Sequence, residues 1–312
     1  MRKRIQNTIA ESRMTLPVTI LIVAIIWAFN GVVDNNVYYK LAFLSVSTYL
    51  MVELNNRNAL IRVYSRMVSC SFAILTTAIA VTLIDVSALC VQTCMLGTYS
   101  MLFRCYQDKR SQGYVYFAFL FLGIASLSFI QISFFIPFLW LLTATNLMAL
   151  SWKSWGASLI GVLTPYWIWM GYGLFSGDLN PLIQHLQTIT VFQQPFLYDI
   201  TDTRIPVTFV FVIVLSIIGV VHFLRNSYKD KIRIRMIYEF IITMNIVILA
   251  FVVLQPQHAI HLLCLFVIHT AILIAHFITL THTWQTNIFF VLLLIITTAL
   301  INYNIWIFSL IS

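Results

Sequence analysis

Apolar residues along this chain come in long, nearly unbroken runs separated by short polar stretches. The runs show neither the period of two of a half-buried strand nor the single stripe of a soluble surface helix. A helix needs about 20 apolar residues to cross the hydrocarbon core of a bilayer, with a range of roughly 17 to 25. Read this way, the spacing predicts helical spans at 16–31, 37–54, 67–84, 86–104, 114–128, 130–150, 157–175, 207–224, 234–254, 259–280 and 286–310. Asp85 and Phe129 are the weakest joints. A pair of spans taken as one helix of about 38 residues would measure roughly 57 Å at 1.5 Å per residue, so each joint is read as a hairpin. The expected fold is all-α: one polytopic transmembrane bundle over residues 1–312 with about eleven spans.

Charge orients the bundle. With the N-terminus in the cytoplasm, all but two of the 18 Lys and Arg fall in residues 1–15, in alternate connections or at the adjoining helix ends. Only Lys40 and Arg204 lie on the other side. This bias predicts the N-terminus in, the C-terminus out and a bacterial inner membrane. Composition agrees: 61% of residues are hydrophobic and 9% charged, against about 25% charged in soluble domains. The net charge of +8 is therefore read as topology, and no nucleic-acid partner is expected. The first span lacks a small-residue cleavage site and reads as uncleaved. The five cysteines, Cys70, Cys90, Cys94, Cys105 and Cys264, lie in or at the ends of apolar runs and imply neither a disulfide framework nor a metal site.

Several places could carry chemistry. Around the span at 259–280, His258, His269 and His276 fall within about 20° of one another at 100° per residue, with His261 about 60° away. Polar groups on an apolar helix face the bundle interior or a water-filled cavity. These histidines read as interhelical hydrogen-bonding groups, as a proton or substrate path, or as a metal or haem ligand set, the last disfavoured because His222 is the only other intramembrane histidine. At the outer end of the first two spans, Asp34 and Lys40 form either a capped turn or a substrate contact. The long outer loop at 176–206 offers His185, Asp199, Asp202 and Arg204 for acid–base work or phosphate binding, or simply as turn residues and ion pairs. In that loop Asn180 is expected to cap a helix with Pro181 at its first position, its apolar Leu182, Ile183, Leu186 and Ile189 opposite Gln184, His185, Gln187 and Thr188. Pro137 and Pro165 lie inside spans, and Glu239 is placed to pair with Arg235. No Walker A, GxGxxG, HExxH, GxSxG or CxxCH sequence occurs, which takes most of the support from ATPase, dehydrogenase, zinc-protease and serine-hydrolase readings. No metal or other cofactor is expected.

The segments ELNNRNALIRVYSRM at 53–67, LFRCYQDKR at 102–110 and AHFITLTHTWQTNIFF at 275–290 resemble an uncharacterised family of multi-pass inner-membrane proteins from Bacteroidetes. The helical pairs after Lys109-Arg110, with Gly123 in one hairpin and then Pro165, are also similar to the membrane halves of GT-C glycosyltransferases. That second resemblance implies a polyprenyl-phosphate sugar donor and an acidic motif in the first outer loop, where this chain carries only Asp34. Three functions follow as expectations. The first is a non-catalytic role in cell-envelope assembly or lipid-linked glycan handling, with the bilayer, a polyprenyl-linked substrate or other envelope proteins as partners. The second is a transporter or flippase with a histidine-lined path. The third is a GT-C-like transferase using Asp34, Asp199 or Asp202. The first is preferred, and enzymatic activity is the less favoured expectation.

Overall fold

The computed structural model describes residues 4–30, 36–80, 85–192 and 203–311. These residues form helices and short connections, without a β-strand. In chain order the helices are α1 (Ile5–Glu11), α2 (Thr15–Asn30), α3 (Val37–Asn58), α4 (Met67–Ala80), α5 (Val86–Leu102), α6 (Gln112–Ser128), α7 (Ile136–Thr145), α8 (Trp152–Ser176), α9 (Asn180–Gln187), α10 (Arg204–Asn226), α11 (Ile232–Leu254), α12 (Ala259–Leu280) and α13 (Trp284–Ile311). Among the described residues, five segments are long and apolar enough to cross a membrane: 86–105, 204–229, 232–254, 256–280 and 284–307. A sixth is added if α1 and α2, bent by 95° at Ser12–Met14, count as one broken span. This is the build of a membrane protein.

The centre of the bundle is α12. Of its most apolar stretch 94% is buried, whereas segment 204–229, at least as apolar, is 33% buried. α12 packs against α4, α5, α10 and α11, while α2, α8, α10 and α13 turn large apolar side chains outward, among them Leu21, Ile168, Val210 and Ile295. Helix association in an apolar medium relies on close packing and interhelical hydrogen bonds rather than on hydrophobicity. Both devices are present. Gln92 of α5 donates to the Cys264 carbonyl of α12 at 2.8 Å, Ser216 of α10 donates to Asn245 of α11 at 2.8 Å, and Asn304 of α13 donates to the Ala78 carbonyl of α4 at 2.9 Å.

The α6–α8 pair uses glycine. A Cβ on Gly161 would stand 2.6 Å from the Tyr116 carbonyl oxygen, and one on Gly123 would stand 2.7 Å from that of Val162. The two backbones meet through reciprocal notches. Gly177, at φ +74°, ends α8 in a left-handed turn.

Several expectations change in detail. Residues 130–150 do not form one helix: a 3₁₀ segment, Ile130–Phe135, precedes α7, whose first turn holds Pro137. Proline has no N–H to donate and fits a first turn, so it starts a helix here rather than kinking one. Pro165 does lie inside α8. The polar residues 1–15 contain α1, which buries Gln6, Asn7 and Ala10. Gln6 donates to Thr281 Oγ1 at 2.9 Å, while Asn7 and Arg4 both bond to His282. Glu239 accepts from Asn146 at 3.5 Å, and among the described residues no ion pair joins it to Arg235. Asn180 is the first residue of α9 rather than its cap. Leu179 takes the cap position, and Asp178 Oδ1 accepts from the Asn180 N–H at 2.9 Å.

Candidate functional site

Two places stand out: a buried ionisable cluster beside α12 and a groove open to the side of the bundle.

The cluster is built at the end of α12 that faces the connection between α10 and α11. That connection is strongly basic, with Arg225, Lys229, Lys231 and Arg233 around a single carboxylate, Asp230. A 3₁₀ turn over Ser227–Lys229 tucks Asp230 inward, so its side chain is 2% exposed. Asp230 Oδ2 lies 3.2 Å from His276 Nε2, and Oδ1 lies 3.8 Å from Arg62 Nη1. The other ring nitrogen of His276, Nδ1, is 3.4 Å from His222 Nδ1 on α10. Phe223 and Tyr238 close the edges of the His276 ring at 5.5 and 5.0 Å between centroids. A carboxylate bonded to one nitrogen of an imidazole fixes its tautomer and the orientation of the ring. His276 thus bridges Asp230 at Nε2 and His222 at Nδ1. Arg62 is partly exposed, so it adds little binding energy but links the cluster to solvent.

His269 stands two turns along α12 in a different setting. Its Nε2 lies 2.8 Å from the Tyr99 hydroxyl of α5. Tyr99 and Phe240 meet edge to face at 5.6 Å and Phe103 stacks beside them, while His269 Nδ1 has no partner among the described residues. The third histidine of the stripe, His258, is outside α12. It belongs to the 3₁₀ turn Pro256–His258 and rests on Phe129 at 5.2 Å. His261 stacks flat on the same ring at 4.6 Å and lies 3.3 Å from Ser87 Oγ. The helical phase that aligns these residues in sequence thus distributes them over three environments.

No family model, curated protein or solved structure matches this chain.

The groove has a simple origin. α2 and α3 each pack on α4 but hardly meet each other. They leave a cleft of about 630 Å³, floored by Ala73 and walled by Ile20 and Val23 on one side and Leu41 and Leu44 on the other. Because α2 and α3 run in opposite directions, one end of the cleft gathers Arg13, Leu16, Val52, Tyr64 and Arg66. A shallower recess of about 410 Å³, lined by Glu53, Asn56 and Arg57, adjoins it and shares Tyr49 and Val52. The sequence does not announce the groove, because it depends on which helices splay. The one hint is Arg13, placed directly before an apolar run.

The remaining candidates scatter. Asp34, Asp199 and Asp202 lie outside the described residues. Lys40 on α3 and Arg204 at the start of α10 are both buried, at 8% exposure, and both are engaged. His185 turns inward from α9: its Nε2 lies 3.1 Å from the Ser126 carbonyl oxygen and its ring lies 5.1 Å from that of Trp169. It is therefore not on a solvated face opposite the apolar one. Leu182, Leu186 and Ile189 cover a pocket on α8 with Tyr166 and Trp167. Among the described residues, no group of three or more His, Cys, Asp or Glu is arranged to hold a metal ion.

Proposed function

We propose that this protein is a multi-pass protein of a bacterial cytoplasmic membrane that handles a lipid-borne substrate of the cell envelope, such as a lipid-linked glycan. One observation carries the reading: a cavity of about 630 Å³ opens sideways between α2 and α3, where a membrane-borne amphiphile can enter, and it has a basic end. Around α12 the described residues are largely buried against one another. The orientation with the N-terminus inside draws support from contacts among the basic connections. Arg62 reaches Asp230, Arg233 reaches Asn58 and the Phe103 carbonyl, Glu53 reaches Arg104, and Ser151 reaches the Lys109 carbonyl. These segments share one end of the bundle, as the positive-inside bias requires. A deletion strain is expected to accumulate or lose a lipid-linked envelope intermediate, read by lipid and glycan profiling. An unchanged profile in cells that normally make the protein overturns the proposal.

A second reading, proton-linked transport, is favoured by the Asp230–His276–His222 cluster. Under it, His276→Gln abolishes the phenotype rescued by the wild-type gene even where the variant is still recovered folded from the membrane fraction. Wild-type rescue by both His276→Gln and His269→Gln removes the motive for a proton path.

A further inference from the structure

The lateral groove has chemistry at its basic end that its apolar length does not need. Arg13 sits at the bend between α1 and α2, is exposed, and makes no hydrogen bond or ion pair with any described residue. Arg66 faces the same end from just before α4. It is held by Asn56 Oδ1 at 3.4 Å and by the Tyr64 hydroxyl at 3.2 Å, with its guanidinium 5.5 Å from the Tyr64 ring centre. Among the described residues, no carboxylate lines the groove itself. Glu53, the acid of the adjoining recess, is committed to Arg104 at 2.8 Å and to Arg57 at 3.5 Å. Two guanidiniums with no carboxylate among the described lining residues, at the end of an apolar trough, complement a phosphate on a hydrocarbon chain. Beyond them the recess presents Glu53, Asn56 and Arg57, which supply both acceptors and donors. Such a lining pairs with hydroxyl groups.

We propose that the groove between α2 and α3 is a binding site for a lipid phosphate with a hydroxyl-bearing head. The chain lies along Ile20, Val23 and Leu44, the phosphate lies between Arg13 and Arg66, and the head lies in the recess beside Asn56. This deepens the reading above and rests on it only for the lateral entry. The cavity volume, about 630 Å³, is within the roughly 300–1,000 Å³ range of pockets that enclose a ligand, so one hydrocarbon chain rather than a patch of bilayer is the occupant.

The test uses the full-length protein purified in detergent and offered phosphatidylglycerol, phosphatidic acid or phosphatidylcholine, with retained lipid read by native mass spectrometry. Phosphatidylglycerol, an anion with hydroxyls, is expected to be held most tightly. The double substitution Arg13→Ala with Arg66→Ala is expected to weaken it at least about tenfold, a loss that exposed charge-assisted hydrogen bonds can supply. Ser45→Trp, which fills the trough without touching either arginine, is expected to exclude all three lipids and, since Ser45 is exposed, to leave the thermal midpoint unchanged. Equal retention of phosphatidylcholine, no loss in the double variant, or phosphatidic acid held as well as phosphatidylglycerol overturns the proposal. So does a dimer that forms through this face and is broken by Ser45→Trp. Failure here is separable from failure of the envelope role: lipid lost on substitution beside an unchanged deletion profile keeps the site and removes the role, and the reverse pattern does the opposite.

Discussion

Asp230→Ala is expected to be the most damaging single substitution at the cluster, lowering stability by about 3 kcal/mol. The carboxylate is 2% exposed and meets a fully buried imidazole at 3.2 Å. Truncation leaves His276 Nε2 facing a void, and the Tyr238 hydroxyl close by already lacks a partner among the described residues. Arg62, at 3.8 Å and partly exposed, can turn to solvent and recovers most of its hydration. The loss is therefore expected to track His276. Asp230→Ala in a His276→Gln background is expected to cost clearly less than it does alone, whereas combining it with Arg62→Ala is expected to be nearly additive. Thermal midpoints of the purified variants in one detergent, with monodispersity by size-exclusion chromatography, provide the check. A wild-type midpoint for Asp230→Ala would show that the cluster holds nothing together.

A larger structural effect is expected at the α6–α8 notch. Overpacking by a methylene or two ordinarily costs about 1–3 kcal/mol, because neighbouring side chains give way. At Gly161 and Gly123 the neighbours are backbone carbonyl oxygens at 2.6 and 2.7 Å from where a Cβ would sit, and a helix backbone cannot retreat alone. Even alanine at either position must separate the two helices, and leucine at Gly161 is expected to prevent the pair from forming, with loss of folded protein from the membrane fraction. Gly156 and Gly171 lie in the same helix as Gly161, and a Cβ at either would meet nothing within 4 Å. Alanine there is expected to be neutral or slightly stabilising, since glycine in a helix interior costs about 0.5–1 kcal/mol relative to alanine. Gly161→Ala behaving like Gly156→Ala would refute the notch.

The helical segments were legible because a membrane leaves a chain few options: each apolar run must satisfy its own backbone, and polar breaks mark the turns. That α12 is the surrounded helix was not legible from its apolarity, because the segment 204–229 is at least as apolar and is only 33% buried. Asp230 was not legible, because a lone acid among Arg225, Lys229, Lys231 and Arg233 reads as part of a solvated basic loop, and only the 3₁₀ turn sends it inward. His222 and His276 are 54 residues apart and on different helices, so periodicity within one helix cannot pair them. His258 owes its place in the histidine stripe to the assumption that the helix already runs at that position, whereas it closes the 3₁₀ turn Pro256–His258 and α12 begins one residue later. α1 escaped notice because it is short and polar, and its burial depends on partners far along the sequence. The groove belongs to this class as well: its walls are ordinary apolar helices, and its existence is a matter of how far apart they stand.

The position of the hub in the chain has a consequence for biogenesis. Helices α1 to α11 are all translated before α12 begins at Ala259. Until then α4, α5, α10 and α11 have no common partner, and Gln6 and Asn7 have nothing on which to close. α1 therefore latches late although it is made early, and a nascent chain released short of residue 259 lacks the element that its earlier helices were shaped to surround.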